Sequence, residues 1–205
     1  IIGGDDKAIL YGTFTYLRNI MITKSLIFNV SEKANCSFRM INHWDNMDGS
    51  IERGYSGESF FFKNDEIIIN ERTEFYAKLI SSVGINSVCI NNVNVRNKAN
   101  FLISHLYYEK LNKLSNIFEK YGIKLFLSVN FSAPMIIGDL DTCDPLDKAV
   151  ENWWNDKSKE IFRNINNFGG FVVKADSEGN AGPYNYNRNH ADGANMLARS
   201  VKDYG

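Results

Sequence analysis

The sequence has 205 residues, of which 44% are hydrophobic, 13% are aromatic and 23% are charged. These fractions exclude a disordered, collagenous or coiled-coil chain, and a chain of this length can bury roughly 70% of its unfolded surface in one core. A formal net charge of −1 excludes the electrostatic signature of a nucleic-acid binder. No apolar run approaches the roughly 20 residues of a membrane span.

The three cysteines, Cys36, Cys89 and Cys143, are an odd set without Cys-x-x-Cys spacing. This pattern argues against a disulfide framework and against a zinc site. We therefore interpret them as buried or incidental thiols.

The first thirty residues differ in character from the remainder of the chain. An amphipathic helix is predicted over residues 6–21, and a strand-like stretch follows over residues 25–30. We interpret residues 1–30 as the end of a preceding small α/β domain plus a linker. Because the chain starts without Met and stops at Gly205 directly after a helix-like segment, we expect it to be part of a longer protein.

From residue 38 onward, strand-like and helical segments alternate. Short apolar runs predict buried strands, which lie at residues 38–42, 85–90, 123–129 and 170–173. The first helix after residue 73 carries an apolar face made of Phe75, Tyr76, Leu79, Ile80 and Val83. A second helix over residues 103–121 repeats this spacing. Both helices end at a glycine, Gly84 and Gly122, as is common just past a helix terminus.

Two further helices complete the alternation. Asp144 and Pro145 are predicted as the N-cap and first-turn pair of a helix that runs through Ile165. Within it, Trp153 and Trp154 are interpreted as packing against the sheet rather than as a platform for a sugar. The last helix is predicted over residues 194–201.

This alternation predicts an α/β fold with four βα units joined by right-handed crossovers into a parallel sheet. A doubly wound sheet and a (β/α)8 barrel both begin in this way, and periodicity does not separate them. The phosphate-binding signatures of the doubly wound class, Gly-x-Gly-x-x-Gly and the Walker loop, are absent from the sequence.

Each predicted strand ends in polar residues. They occupy residues 42–46, 91–94, 130–132 and 174–178. Ligands of parallel α/β folds bind at the carboxyl ends of the strands. Amides, carboxylates, a lysine and an indole together are suited to a carbohydrate, because hydroxyl groups need polar partners and a sugar ring packs on an aromatic face.

Residues 39–55, RMINHWDNMDGSIERGY, resemble the hallmark segment of the family 67 α-glucuronidases. The segments that fit the same family in order are residues 84–94, 127–131, 173–183 and 190–199. The resemblance extends from about Tyr11 to the last residue.

The resemblance implies a (β/α)8 catalytic domain of the TIM-barrel type, of which residues 31–205 would form about the first four βα units. It implies inverting hydrolysis of the α-1,2 bond that releases (4-O-methyl)-D-glucuronic acid from the non-reducing end of xylooligosaccharides, in xylan degradation. The partners would be aldouronic acids derived from glucuronoxylan, with no nucleic acid and no membrane. No metal or organic cofactor is implied. A homodimer of the full-length protein is compatible with the resemblance, and hydrolysis inside the cell is favoured over secretion.

By resemblance, Glu178 is the general acid. Such an acid must hold its proton near neutral pH, so we expect the surrounding strand ends to raise the pKa of Glu178, with help from the charge of Asp176. An inverting enzyme also needs a carboxylate base. The resemblance places the family's candidate bases on later strands, beyond Gly205.

Five residues are predicted to bind the substrate. Lys174 and Trp44 match family residues that contact the glucuronic acid, and Val93 is placed against the 4-O-methyl group. Asn92 and Asp45 are assigned only from their positions at strand ends. As an alternative role, Lys174 would close a salt bridge within the protein.

A second hypothesis is a truncated, non-catalytic carbohydrate-binding protein that lacks the general base. Four βα units alone would leave an open sheet edge and an exposed apolar face, which favours the enzyme.

Overall fold

The structure is a computed structural model, and it describes residues 1–204. Helices and strands alternate along most of the chain. In chain order the elements are α1 (Asp6–Thr23), β1 (Met40–Asn42), β2 (Phe62–Lys63), β3 (Glu66–Ile67), α2 (Glu71–Ser82), β4 (Ser87–Ile90), a 3₁₀ helix (Asn97–Ile103), α3 (His105–Glu119), β5 (Lys124–Asn130), α4 (Ala133–Ile137), α5 (Lys148–Asn164), β6 (Phe168–Lys174), a 3₁₀ helix (Pro183–Tyr186), α6 (His190–Val201) and a final 3₁₀ turn (Lys202–Tyr204).

The central sheet has four parallel strands in the order β1, β4, β5, β6. The predicted parallel α/β sheet is therefore confirmed, with the four expected strands. Their order in space follows their order in the chain, and no reversal of strand order occurs within residues 1–204. Strands β2 and β3 form a separate antiparallel pair in the connection between β1 and α2.

The main apolar core lies on one face of this sheet. Every second residue along β4 and β5 points into this core, and these residues are Val88, Ile90, Leu125, Leu127 and Val129. They pack with buried side chains of the helices, among them Ile80, Leu111, Leu114, Phe118, Trp154 and Ile161. Successive strand residues point to opposite faces, so Cys89 and Ser128, whose Sγ and Oγ atoms are 3.4 Å apart, lie on the other face.

Helix α2 is buried through smaller side chains than the sequence suggests. It begins at the N-cap Asn70, and its buried residues are Thr73, Ala77, Ile80 and Ser81. The predicted apolar face is therefore wrong in part, since Phe75 is 68% exposed and Leu79 is 52% exposed. The buried stripe is thus rotated toward Thr73 and Ala77.

The start of α5 corrects a second prediction. Asp147, not Asp144, is the N-cap, because its Oδ1 accepts hydrogen bonds from the backbone N–H groups of Ala149 and Val150. Asp144 lies in the preceding turn, where its carboxylate pairs with Arg188 at 3.0 Å. The predicted packing role of the tryptophan pair is confirmed, since Trp154 is fully buried in the core.

Helix α1 is confirmed at the N-terminus, but the strand expected over residues 25–30 is wrong. Lys24 has a φ of 57° and ends the helix, and no strand forms before Met40. The side chain of Ser25 instead hydrogen-bonds to the backbone of Ile27, which makes a local turn. Arg18 ties α1 to the carbonyl of Ser82 at the end of α2. Across residues 1–204, none of the helices has both the length and the apolar character needed to cross a membrane.

Candidate functional site

The carboxyl ends of β1, β4, β5 and β6 meet at one edge of the sheet because the strands are parallel. Asn130 and Lys174, the last residues of β5 and β6, are register partners. Both side chains bond to the loop after β4: Nδ2 of Asn130 donates to the carbonyl of Val95, and Nζ of Lys174 donates to Oδ1 of Asn94 at 2.7 Å. This edge is therefore polar and its loops are joined to one another.

Glu178 lies at this edge, in the loop that follows β6, and three cations face its carboxylate. Nη2 of Arg53 is 2.7 Å from Oε1, and Nζ of Lys174 is 3.7 Å from the same atom. Nη2 of Arg96 is 3.8 Å from Oε2. The cations come from the loop after β1, the end of β6 and the loop after β4. Three separate chain segments thus converge on one carboxylate.

These charges overturn the expected direction of the pKa of Glu178. The positive charges of Arg53 and Lys174 lower this pKa, and the partial burial of the carboxyl group does not offset them. The expectation of a raised pKa is therefore wrong. It failed because strand ends were expected to exclude water, whereas they supply cations.

Lys174 makes the ion pair that was considered as its alternative role. Its partner is Glu178. Because its ammonium group also donates to Asn94, the lysine is held between two loops. Its side chain still keeps about a quarter of its surface exposed to solvent.

Asp176 is turned away from the three cations and fastens the loop that carries Glu178. Its carboxylate accepts from the backbone N–H of Tyr184, and its Oδ2 lies 2.9 Å from Nε2 of His190. Gly182 packs against it so closely that a Cβ there would lie 2.4 Å from the backbone N of Asp176. Asp176 and Glu178 both adopt positive φ, 52° and 56°, so the loop is tightly bent.

Trp44 lies just beyond β1 and is 36% exposed, while both of its neighbours are held inward. Nε2 of His43 is 2.6 Å from Oη of Tyr76. Oδ2 of Asp45 accepts hydrogen bonds from Oγ of Ser59 at 2.6 Å and from the backbone N–H of Phe60 at 2.7 Å. With its flanks fixed in this way, the indole of Trp44 is presented at the surface.

Asp45 has a shifted pKa that follows from these contacts. Burial acts to raise the pKa of this carboxyl group, but the neighbouring His43 ring, whose Nδ1 is 3.7 Å from Oδ1, and the hydrogen bonds from Ser59 and Phe60 together outweigh burial and lower it. Asp45 is therefore an ionised carboxylate inside the protein at neutral pH.

The remaining three predicted binding residues, Asp45, Asn92 and Val93, are buried. The amide of Asn92 is fully engaged: Nδ2 donates to Oδ1 of Asn46 and to the carbonyl of Glu52, and Oδ1 accepts from the backbone N–H of Asn94. The structure thus places Asp45 and Asn92 among protein partners, where they shape the loop that carries Arg53. Val93 lies outside the main apolar core cluster.

Sequence reasoning missed Arg53, Arg96 and Asn94 as members of the site. Arg53 lies 3.9 Å from Glu52, its neighbour in the chain, but its shorter contact is with Glu178 at 2.7 Å. The only signal for Arg53 was its position inside the segment 39–55. Arg96 carried no signal beyond its place after a predicted strand.

The part of the chain that the structure describes contains neither an assembled metal-binding site nor a pair of bonded cysteines. No three His, Cys, Asp or Glu side chains cluster to hold a metal ion there. The three cysteines are unpaired, as predicted, and burial raises the pKa of the Cys89 thiol to about 11, so this thiol stays protonated.

Comparison with known proteins relates this site to one family. The model of the glycosyl hydrolase family 67 middle domain matches residues 21–205. A probable alpha-glucuronidase A of Aspergillus fumigatus is 41% identical over 207 residues, which cover 100% of this chain and 24% of that protein. A probable alpha-glucuronidase A of Aspergillus terreus is 40% identical over 206 residues, with 100% and 24% covered. Alpha-glucuronidase A of Emericella nidulans is 37% identical over 211 residues, with 100% and 25% covered. The chain spans about a quarter of the length of these relatives.

Proposed function

Since the chain belongs to glycosyl hydrolase family 67, we propose that it forms the acid-bearing part of an α-glucuronidase active site. The complete enzyme would hydrolyse the α-1,2 bond that joins (4-O-methyl)-D-glucuronic acid to the non-reducing end of xylooligosaccharides, with inversion at the anomeric carbon. The similar proteins of Aspergillus and Emericella are named alpha-glucuronidases, which supports an anionic sugar as the substrate.

The observation that carries this proposal is the group of three cations around Glu178. A uronic acid brings a carboxylate, and guanidinium and ammonium groups are the side chains that recognise one. Arg53, Arg96 and Lys174 lie within 3.8 Å of one carboxyl group, which is an acid able to protonate a leaving oxygen. An acid and an anion-binding group are thus combined at one place.

In the proposed reaction, Glu178 donates its proton to the glycosidic oxygen as the bond from that oxygen to the anomeric carbon breaks. Water attacks the anomeric carbon from the opposite face and gives its proton to a carboxylate base. An inverting enzyme holds its two carboxyl groups roughly 6.5–9.5 Å apart, to leave room for this water. We expect the base on strands outside this sequence.

We assign the other predicted residues to two roles. Trp44 would pack its exposed indole against the sugar ring, and Val93 would contact the 4-O-methyl group. Lys174 would contact the uronate directly. Asp45 and Asn92 would act by holding the loop between them rather than by touching the sugar, because their polar atoms already have protein partners.

We further propose that the sheet is part of a (β/α)8 barrel. Two features support this: strand order follows chain order, and the main apolar core lies on one face. A doubly wound sheet would reverse its strand order and carry helices on both faces. Because such a barrel has eight strands, the four strands within residues 31–205 would supply its first half. Residues 1–30 would be the end of a preceding domain plus a linker.

The test uses the complete gene product that contains this sequence. Release of 4-O-methylglucuronic acid from aldouronic oligosaccharides is measured for the wild type and for Glu178→Gln. We expect Glu178→Gln to lower kcat at least roughly 10²-fold, the usual worth of a positioned acid. Glu109→Gln, which removes an exposed carboxylate of α3, is the matched control and should leave kcat unchanged.

Two results would count against the proposal. An unchanged kcat in Glu178→Gln would show that Glu178 is not the general acid. Binding of the oligosaccharide without any release of sugar by the wild type would instead support the non-catalytic carbohydrate-binding protein.

A further inference from the structure

The three cations around Glu178 pose a problem for an acid catalyst. Arg53, Lys174 and Arg96 all favour the ionised form of Glu178, and its pKa is lowered accordingly. A general acid must carry a proton when it meets the leaving oxygen. The environment of Glu178 must therefore change before it can act.

We propose that Arg53 is a positioning residue that holds the carboxylate of Glu178 in the free protein and passes to the carboxylate of the incoming sugar. This inference rests on the proposed function and adds a substrate-triggered step to it. The carboxylate of the substrate would draw Arg53 away from Glu178. The acid therefore takes up a proton only when an anionic sugar is bound.

The charges around Glu178 support such a transfer. On the protein, the three cations face two carboxylates, those of Glu178 and of Glu52, whose Oε1 is 3.9 Å from Nε of Arg53. One positive charge is therefore unmatched. The carboxylate of a uronic acid would match it and compete for the same guanidinium. Asp176, the remaining acid of this loop, is already bound to His190 and to the backbone of Tyr184.

Arg53 is the cation best suited to move. Its side chain is 60% exposed and extends from an irregular loop, whereas Lys174 ends a strand and donates to Asn94. Arg96 is equally exposed, but it lies 3.8 Å from the carboxylate, compared with 2.7 Å for Arg53. A flexible, exposed arginine with the shortest contact can exchange one carboxylate for another without disturbing the sheet.

The proton balance of the step is simple. Glu178 takes one proton from solvent when Arg53 moves to the sugar carboxylate, and the same proton is later given to the glycosidic oxygen as the C–O bond breaks. Water is the only other reactant. No oxidant, reductant or cofactor takes part in it.

The first experiment measures proton uptake by calorimetry of the complete gene product. D-glucuronate is titrated near pH 6 in two buffers that differ in ionisation enthalpy. We expect the wild type to take up protons on binding, Glu178→Gln to take up none, and Arg53→Lys to keep the uptake. Binding of D-glucuronate without proton uptake by the wild type would overturn the inference, and so would absence of binding.

The second experiment follows the pH dependence of kcat/KM on an aldouronic oligosaccharide. In Arg53→Met, Glu178 loses a neighbouring cation, and its pKa rises. The alkaline limb of the kcat/KM profile should therefore move to higher pH by ~1 pH unit. Arg163→Met, which removes an exposed arginine near the end of α5, is the control and should leave the limb in place. A role of Arg53 in folding alone would lower kcat without moving the limb, and that result would contradict the inference.

The two experiments separate this inference from the proposed function. If the wild type releases no sugar from aldouronic oligosaccharides, the proposed function fails, while calorimetry still decides whether the carboxylate is exchanged. If the sugar is released, but the wild type takes up no proton on binding D-glucuronate and the alkaline limb stays in place in Arg53→Met, the exchange fails and the function stands.

Discussion

Oδ2 of Asp176 lies 2.9 Å from Nε2 of His190, and this contact joins the loop after β6 to the first turn of α6. The same carboxylate accepts the backbone N–H of Tyr184. Glu178 is two residues further along the loop. The position of the proposed acid therefore depends on a second carboxylate, which is bound to the backbone of Tyr184 and to His190.

Replacing Asp176 with Ala should lower kcat without unfolding the protein. A hydrogen bond to a charged group contributes ~1.5–3 kcal/mol, so its loss would release the loop and reduce kcat about tenfold or more. Asp176→Asn keeps an acceptor for Tyr184 and should lose less. Steady-state kinetics and circular dichroism of the complete gene product check this. Equal kcat for wild type and Asp176→Ala would show that the loop is held by other contacts.

Replacing Asp45 with Ala should destabilise the region after β1. Removing this carboxylate leaves the partly buried donors of Ser59 and Phe60 without their acceptor, which costs ~3 kcal/mol. Hydrogen exchange of a peptide that covers residues 59–62 measures this loss locally. Asp65→Ala, on the exposed turn between β2 and β3, should change the exchange little. Unchanged protection in Asp45→Ala would contradict the structural role given to this carboxylate.

The contribution of Asp45 should also depend on pH. Its pKa in the folded protein is lowered, so the stabilisation is complete above the unfolded pKa of about 3.9 and is lost as pH falls through the folded value. The difference in exchange protection between wild type and Asp45→Asn should therefore be constant near neutral pH and shrink in acid. A difference that grows as pH falls would show that the pKa is raised instead.

Replacing Trp44 with Ala should raise KM and leave stability almost unchanged. The indole is partly exposed and its neighbours hold the backbone, so its loss opens no buried cavity. Loss of a sugar-stacking surface worth ~1–2 kcal/mol corresponds to a five- to thirtyfold weaker binding. Kinetics on an aldouronic oligosaccharide test this, with Trp44→Phe as the variant that keeps an aromatic face. An unchanged KM in Trp44→Ala would show that Trp44 does not contact the sugar.

The order of the four sheet strands and of the longer helices after residue 38 can be predicted from the sequence, because their apolar residues show the period of a strand or a helix. The short elements β2, β3 and α4 could not be predicted, because they are too short to show one. The polar strand ends follow from that order, since parallel strands deliver their carboxyl ends to one edge. Local periodicity does not determine which face of a helix is the most buried, because burial depends on the neighbour against which the helix packs. The exposed Phe75 of α2 shows this.

The electrostatics of the site could not be predicted in the same way. Arg53 and Glu178 are 125 residues apart in sequence, and their contact follows only from the three-dimensional fold. The direction of the pKa of Glu178 depends on that contact and on Lys174, with a smaller contribution from Arg96. A motif indicates which residues belong to a site, whereas the charge state of each residue depends on which neighbours the fold brings within a few ångströms.

The order of strands in the sheet has a consequence for how the chain folds during synthesis. Each strand of the central sheet pairs with the sheet strand that precedes it, so the sheet can grow one βα unit at a time as the polypeptide leaves the ribosome. The contact between Arg53 and Glu178 must wait until β6 and the loop beyond it have been made. The sheet that carries the site would therefore be in place before the proposed acid, Glu178, joins it.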